Sequence, residues 1–487
     1  MPNLSIPSPI KGWNTTDSIA NVPPDMAIVM DNIMPSTASV AFRKGYASHA
    51  TGVGAGNVDS LFELRGGSIS KMIAASNGSI FDVTTAGIAT SLASGFSSNQ
   101  WQGTVFNAVL GLVNGTDAPQ TYNGTTVAAM TVSGPTITLL NSITTFKFRS
   151  YFTVSNSQSF WYSALNTLGG ALTEFPLGRA GNFGGNLIAI QAITKDGGSG
   201  QDDNLCFFMS TGEVIIYQGT SPATDFVLIG VFQSGRPLPA RGIVKFGPDV
   251  LSVTNEGYVT MSSLLPLSFG KTNDAINKYI KGAASTAAAT YPTSFGWQVV
   301  LSPTNNFMMV NVPQSNNTFV QHVLNVNTIA WCRFTGFNAR CWATFGNDLY
   351  FGSTNGTVYK YTGTTDNGAS VTGIIQTPYF KFAEGGGTIR TTAFKPWARY
   401  DSDMTLTIKY ATDYKESFST PYTITYASLG AEWGDAWGTA WSTTGTISKY
   451  LNLNSFCYAL SLHLTFASPS AVDYFQTDFV VDKGSRI

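Results

Sequence analysis

One pattern recurs along this chain: four or five mostly apolar residues, a turn of Ser, Thr, Asn and Gly, then an alternating run that often carries Tyr, Phe or Trp. The stretch KMIAASNGSIFDVT (residues 71–84) shows it plainly, with Asn77-Gly78 between the two runs. Asn-Gly is the favoured pair for a two-residue type I′ turn, so the pattern predicts a β-hairpin. The stretches AVLGLVNGTDAPQTYNG (108–124), SYFTVSNSQSFWYS (150–163), NLCFFMSTGEVIIYQG (204–219), DVLSVTNEGYVTMS (249–262) and GSTNGTVYKY (352–361) repeat the grammar.

Turn centres near Gly78, Gly115, Ser157, Gly212, Gly257 and Gly356 lie 37, 42, 55, 45 and 99 residues apart, and a weaker unit, NNFMMVNVPQSNNTFVQHVL, fits the last gap. Units of roughly 40–50 residues, each with one strong hairpin, are what a β-propeller needs, because its blades bury their faces only against one another. An irregular all-β chain with recurring hairpins is the alternative. Beyond about Gly368 longer alternating strands take over, such as MTLTIKYAT and YALSLHLTFAS, and suggest a β-sandwich.

The expected fold class is therefore all-β: a propeller-like domain of six to eight blades plus a C-terminal β-sandwich, with few short helices. The expected organisation is an N-terminal segment over residues 1–45, the propeller over 46–368 and the sandwich over 369–487. A short buried helix is predicted in PPDMAIVMDNIM (23–34), and a second in TNDAINKYIKGAA with Asn273 as its N-cap.

Charged residues make up only 11% of the 487, against about 25% in an average soluble protein. With 27 basic and 28 acidic residues the net charge is −1, so no overall positive field exists to hold nucleic acid by counterion release. The four cysteines, Cys206, Cys332, Cys341 and Cys457, lack CxxC spacing and read as reduced thiols, with a Cys332–Cys341 bridge the one alternative. No positively charged, apolar leader and no run of about 18 apolar residues is present, so neither Sec export nor a membrane span is expected.

Catalytic signatures are missing. His49, His322 and His463 lie far apart with no metal-ligand spacing, and His463 occupies the polar slot of an alternating strand, which reads as a surface position. FGKT (269–272) has Leu265 where a phosphate loop needs its first Gly. Asp202-Asp203 reads as part of a solvated loop, and of the seven Glu, Glu213 and Glu256 fall in hairpin turns. No catalytic, cofactor or metal site is predicted. The aromatic set Trp433, Trp437 and Trp441 in AEWGDAWGTAW, together with Trp13, reads as packing or interface anchors, with carbohydrate stacking as the alternative for the trio.

At the N-terminus, Gly12-Trp13-Asn14, Pro23-Pro24, Asp31-Asn32 with Pro35, and Arg43-Lys44-Gly45-Tyr46 resemble the opening of the tail nozzle, or tail-hub, proteins of short-tailed bacteriophages. The run GSIFDVT, an Asn-Gly run before TYNGTT, and EWGDAWGTAW ahead of a β-rich end follow in the same order, so the resemblance spans nearly the whole chain. It implies a structural virion protein, assembled in the host cytoplasm. It further implies a homo-oligomeric ring, commonly a hexamer, below the head-to-tail adaptor, with fibres or tailspikes as further partners and genomic DNA leaving through the lumen. A carbohydrate-binding or carbohydrate-hydrolysing tail propeller is the alternative function.

Overall fold

The computed structural model describes residues 3–196, 201–264, 276–315, 317–382, 387–427, 445–447 and 449–483. Five small antiparallel sheets and then two antiparallel four-stranded sections of one larger sheet follow one another along the described chain, and each begins with an innermost strand: Val58–Gly66, Gln102–Phe106, Leu140–Phe146, Leu187–Asp196, Ile243–Phe246, Gln298–Ser302 and Ala339–Phe345. These are seven propeller blades, within the expected range. Each hairpin picked out by the sequence pattern joins the second and third strands of one blade, so the pattern marks the same step seven times.

In the seventh blade this hairpin pairs Asp348–Ser353 with Val358–Tyr361 around Asn355-Gly356. Gly356 has φ +70°, and a Cβ there would sit 1.8 Å from the Gly54 carbonyl oxygen, so both backbone conformation and space require glycine. Val358 and Tyr361 point to opposite faces of the strand, yet both are buried. A blade is covered on both sides by its neighbours, which is also why every residue of Phe307–Pro313 in the sixth blade is buried.

The ring closes through the N-terminal region. Strand Tyr46–Thr51 supplies the fourth strand of the seventh blade, pairing Tyr46 with Tyr361 and Ala50 with Val358. Neighbouring blades are also pinned by side chains that accept from a backbone turn next door: Asp117 from the amides of Ser97 (2.9 Å) and Ser98 (3.0 Å), and Glu213 from those of Asn182 (2.8 Å) and Phe183 (3.0 Å). Glu213 opens strand Glu213–Gln218 and is buried rather than sitting in a turn. Asp203 likewise lies within strand Gln201–Met209, where its carboxylate accepts from Thr194 Oγ1 at 2.8 Å, instead of in a solvated loop.

The fifth blade has three described strands, and helix Lys281–Thr290 packs against its outer strand Gly257–Thr260 through Ala284, Ala287 and Ala288. This helix starts downstream of the predicted one, and Asn273 lies outside the described residues. The predicted helix over 23–34 is absent. Pro23 opens a turn closed by the Met26 amide, and strands Val29–Asp31 and Ile33–Pro35 follow, separated by Asn32 at φ +56°. Tertiary pairing overrides local preference here, because Val29–Asp31 sits between strand Ala330–Phe334 of the sixth blade and strand Ala369–Gln376.

That pairing joins propeller to sandwich. The sixth blade runs on through Val29–Asp31 into the sheet of Ala369–Gln376, Leu460–Ser468, Met404–Thr412 and Tyr422–Tyr426. The facing sheet centres on Val472–Lys483, flanked by Ile389–Tyr400 and by the N-terminal strands Asn3–Pro7 and Val40–Phe42. Met404, Leu406, Ile408, Leu462, Leu464 and Phe466 of the first sheet share one buried cluster with Phe394, Tyr474 and Phe479 of the second, and with the sixth and seventh blades.

Arg43 sits at the seam with a fully buried side chain. Its Nε donates to Asn32 Oδ1 (2.7 Å), Nη1 to Asp366 Oδ1 (2.8 Å) and Lys44 O (2.9 Å), and Nη2 to Asp366 Oδ2 and Thr335 O (both 2.8 Å). The guanidinium lies 4.0 Å over the Phe337 ring. Removing one partner of a buried pair strands the other, so Arg43→Met is expected to cost about 3–5 kcal/mol in urea denaturation. Arg43→Lys keeps the charge but loses the fork, and recovers only part of that loss.

Candidate functional site: the mouth of the axial channel

All seven innermost strands line one cavity of about 190 Å³ on the propeller axis, each through residues in its first half, so the cavity lies toward the end where the innermost strands begin. It has room for several waters or a small ion, and not for a polynucleotide. Two arginines from distant parts of the chain converge on the first blade there. The turn Ala240–Gly242, between the fourth and fifth blades, sends Arg241 inward. Its Nη1 donates to Asp59 O (2.7 Å), and its Nη2 to Ser60 Oγ (2.7 Å) and Trp101 O (2.5 Å).

Arg340, near the start of the seventh blade, pairs through Nε with the Asp59 carboxylate. Both guanidiniums lie over the ring of Phe295, at 5.1 Å for Arg241 and 4.9 Å for Arg340. Burial lowers the pKa of Arg241 from its ordinary value, and pushes that of the neighbouring Cys341 thiol up to about 12, so Cys341 is neutral. The arrangement ties the turn before the fifth blade and the start of the seventh blade to the first blade.

A second pocket of about 390 Å³ opens between helix Lys281–Thr290 and the sixth blade, lined by Trp13, His322 and Arg333. Arg333 forms a two-pronged pair with Asp31, at 2.7 Å for both bonds, and its guanidinium lies 5.4 Å over Trp13. His322 Nδ1 pairs with Tyr258 OH at 2.7 Å, and the His322 ring meets Trp13 edge-on at 5.3 Å. Burial, aided by Arg333, brings the His322 pKa from 6.5 down to about 3. A third pocket, of about 470 Å³ between the second and third blades, has Phe106, Met130 and Leu168 in its wall.

Trp13 is an internal packing anchor: it is 6% exposed, and its Nε1 donates to Ile28 O at 3.0 Å. Trp433, Trp437 and Trp441 lie outside the described residues, as does FGKT (269–272). The three histidines stay apart. His49 contacts Val83 O, His322 lies in the second pocket, and His463 is half-buried beside Phe418 rather than on the surface, with burial lowering its pKa. All four cysteines are buried free thiols. No Asp or Glu lines any of the three cavities, and among the described residues no cluster of His, Cys, Asp and Glu is placed to hold a metal ion. Sequence reasoning missed Arg241, Arg340 and Asp59; the two arginines reach Asp59 across 182 and 281 positions of sequence.

No family model matches the sequence, and no curated protein matches it. Among solved structures, the chain is similar to BBS1N in complex with ARL6DN, at 11% identity over 67% of this chain and 99% of that one, with TM-score 0.43. YCF48 bound to D1 peptide gives 6% identity over 67% and 96%, with TM-score 0.38. The computationally designed Ika8 protein gives 9% over 72% and 98%, with TM-score 0.37. The blade assignment rests on the strand pairing described above and not on these likenesses.

The neutral state of His322 has a measurable consequence. Its pKa is lower in the folded chain than in the unfolded one, so its contribution to stability is complete above pH 6.5 and is lost as the pH falls toward 3. One proton taken up on unfolding corresponds to a slope of about 1.4 kcal/mol per pH unit. Denaturant titrations of wild type and His322→Gln from pH 7 to 4 should differ by that slope; parallel curves would contradict the assignment.

Proposed function

We propose that the chain is a structural virion protein of a short-tailed phage, forming the tail nozzle ring below the head-to-tail adaptor. The observation that carries this reading is where the residues of the N-terminal resemblance lie. Gly12 has φ +82° and presses on the Trp331 backbone, Trp13 anchors the second pocket, Asp31 pairs with Arg333, and Arg43 locks the seam. The motif is architectural, holding propeller and sandwich together, and contributes no reacting group.

Other features support the same reading. The axial cavity of about 190 Å³ is too small for a duplex, so on this reading a lumen for DNA belongs between subunits of a ring. A net charge of −1 spares a passing duplex dense phosphate contacts. Exposed apolar side chains at Val227, Leu228 and Ile229 on the outer strand of the fourth blade, and at Phe456 and Tyr450 on the sandwich, offer area to neighbouring subunits. The carbohydrate-hydrolysing alternative has less to rest on, since no carboxylate lines the three cavities.

Electron microscopy and sedimentation of the full chain, alone and mixed with its adaptor, test the proposal. Closed rings, six-fold in projection, are the expected result. Free monomers under both conditions would overturn it.

A further inference from the structure

Among the described residues that line the axial cavity, Arg241 is the only charged one. Its guanidinium donates to three oxygens, and all three are uncharged: two backbone carbonyls and the Ser60 hydroxyl. The carboxylate beside it, Asp59, already pairs with Arg340. Among the described residues no carboxylate is hydrogen-bonded to Arg241, whose charge is met by neutral acceptors alone. An enclosed charge without a counter-ion is costly, because the surroundings screen it less than bulk water does.

The remaining polar lining divides into used and unused groups. The Gln298 amide is committed to the backbone of Trp342, accepting from its N–H and donating to its carbonyl, both at 2.8 Å. The Gln191 amide donates to Ile243 O at 3.5 Å, whereas the Gln102 amide and the Ser142 hydroxyl line the same cavity and make no hydrogen bond among the described residues. A cation with two uncommitted donor groups, in a space of about 190 Å³, is chemically complementary to a small anion with several acceptor oxygens.

We propose that the mouth of the axial channel is a binding site for one small oxyanion, held by the Arg241 guanidinium with the Gln102 amide and the Ser142 hydroxyl as further donors. The oxyanion supplies a counter-charge to Arg241 and thereby stabilises the closed ring of blades. The site does not depend on the tail-nozzle reading. It would exist in this propeller whatever the assembly does, and it predicts binding by the isolated chain.

Calorimetric titration of the full chain with inorganic phosphate, and separately with acetate, at constant ionic strength tests the site. One saturable equivalent is expected, and the preferred anion identifies the class as phosphate or carboxylate. Arg241→Met should weaken binding by at least about tenfold, the loss of a charged hydrogen-bonding partner. Gln102→Ala, which leaves the Arg241 contacts intact, should weaken binding while leaving the anion-free melting temperature unchanged. Should Arg241→Met fail to fold, wild-type crystals grown in bromide take its place, with an anomalous peak beside Arg241 expected. Absence of saturable binding for both anions, binding unchanged in the variants, or no bromide at Arg241 would overturn the proposal.

Discussion

The fork of Arg43 on Asp366 holds the meeting point of everything else in this molecule. A guanidinium removed from water is tolerated only when its donors are met by acceptors, and here five oxygens and an aromatic face meet it. Those acceptors come from the N-terminal segment, from the end of the sixth blade and from the link toward the sandwich. The residues after Arg43 continue the closure. The Gly45 amide donates to Gly363 O at 3.0 Å, and Tyr46 packs against Phe337, Phe351 and Tyr359 as it enters the seventh blade. Strand pairing could close a ring of blades by itself, but the seam also fixes how that ring meets the sandwich.

The same logic recurs at smaller scale around the propeller. With so few charges available, most of those buried bridge elements distant in sequence: Glu213 pins the fourth blade to the turn after the third, Arg241 reaches the first blade across the axis, Arg340 reaches it from the adjoining seventh blade, and Arg333 meets Asp31 of the N-terminal segment. Each is a polar tie between surfaces that otherwise meet through apolar packing. Such ties add specificity of arrangement more than net stability. A scaffold built this way suits a part that must keep its shape among many copies, which is the role proposed for it.

What was legible in the sequence was local. Seven hairpins could be read because turn chemistry at Asn77-Gly78 or Asn355-Gly356 is a two-residue matter, and their spacing exposed the repeat. Contacts made across long stretches of sequence left no local trace. Residues 23–34 carry no mark of the strands from positions 330–334 and 369–376 that hold Val29–Asp31 extended. His463 alternates as a surface residue should, but Phe418 covers it from elsewhere in the chain. Arg241 lies in the unremarkable stretch RPLPARG, and nothing local shows that Asp59 and Trp101 lie across an axis from it.

The central claim is that propeller and sandwich form one cooperative body, because one buried cluster and one sheet run through both. Differential scanning calorimetry of the isolated chain tests it most directly. The account predicts a single transition whose calorimetric and van't Hoff enthalpies agree. Two separable transitions, one for the blades and one for the C-terminal sheets, would contradict it.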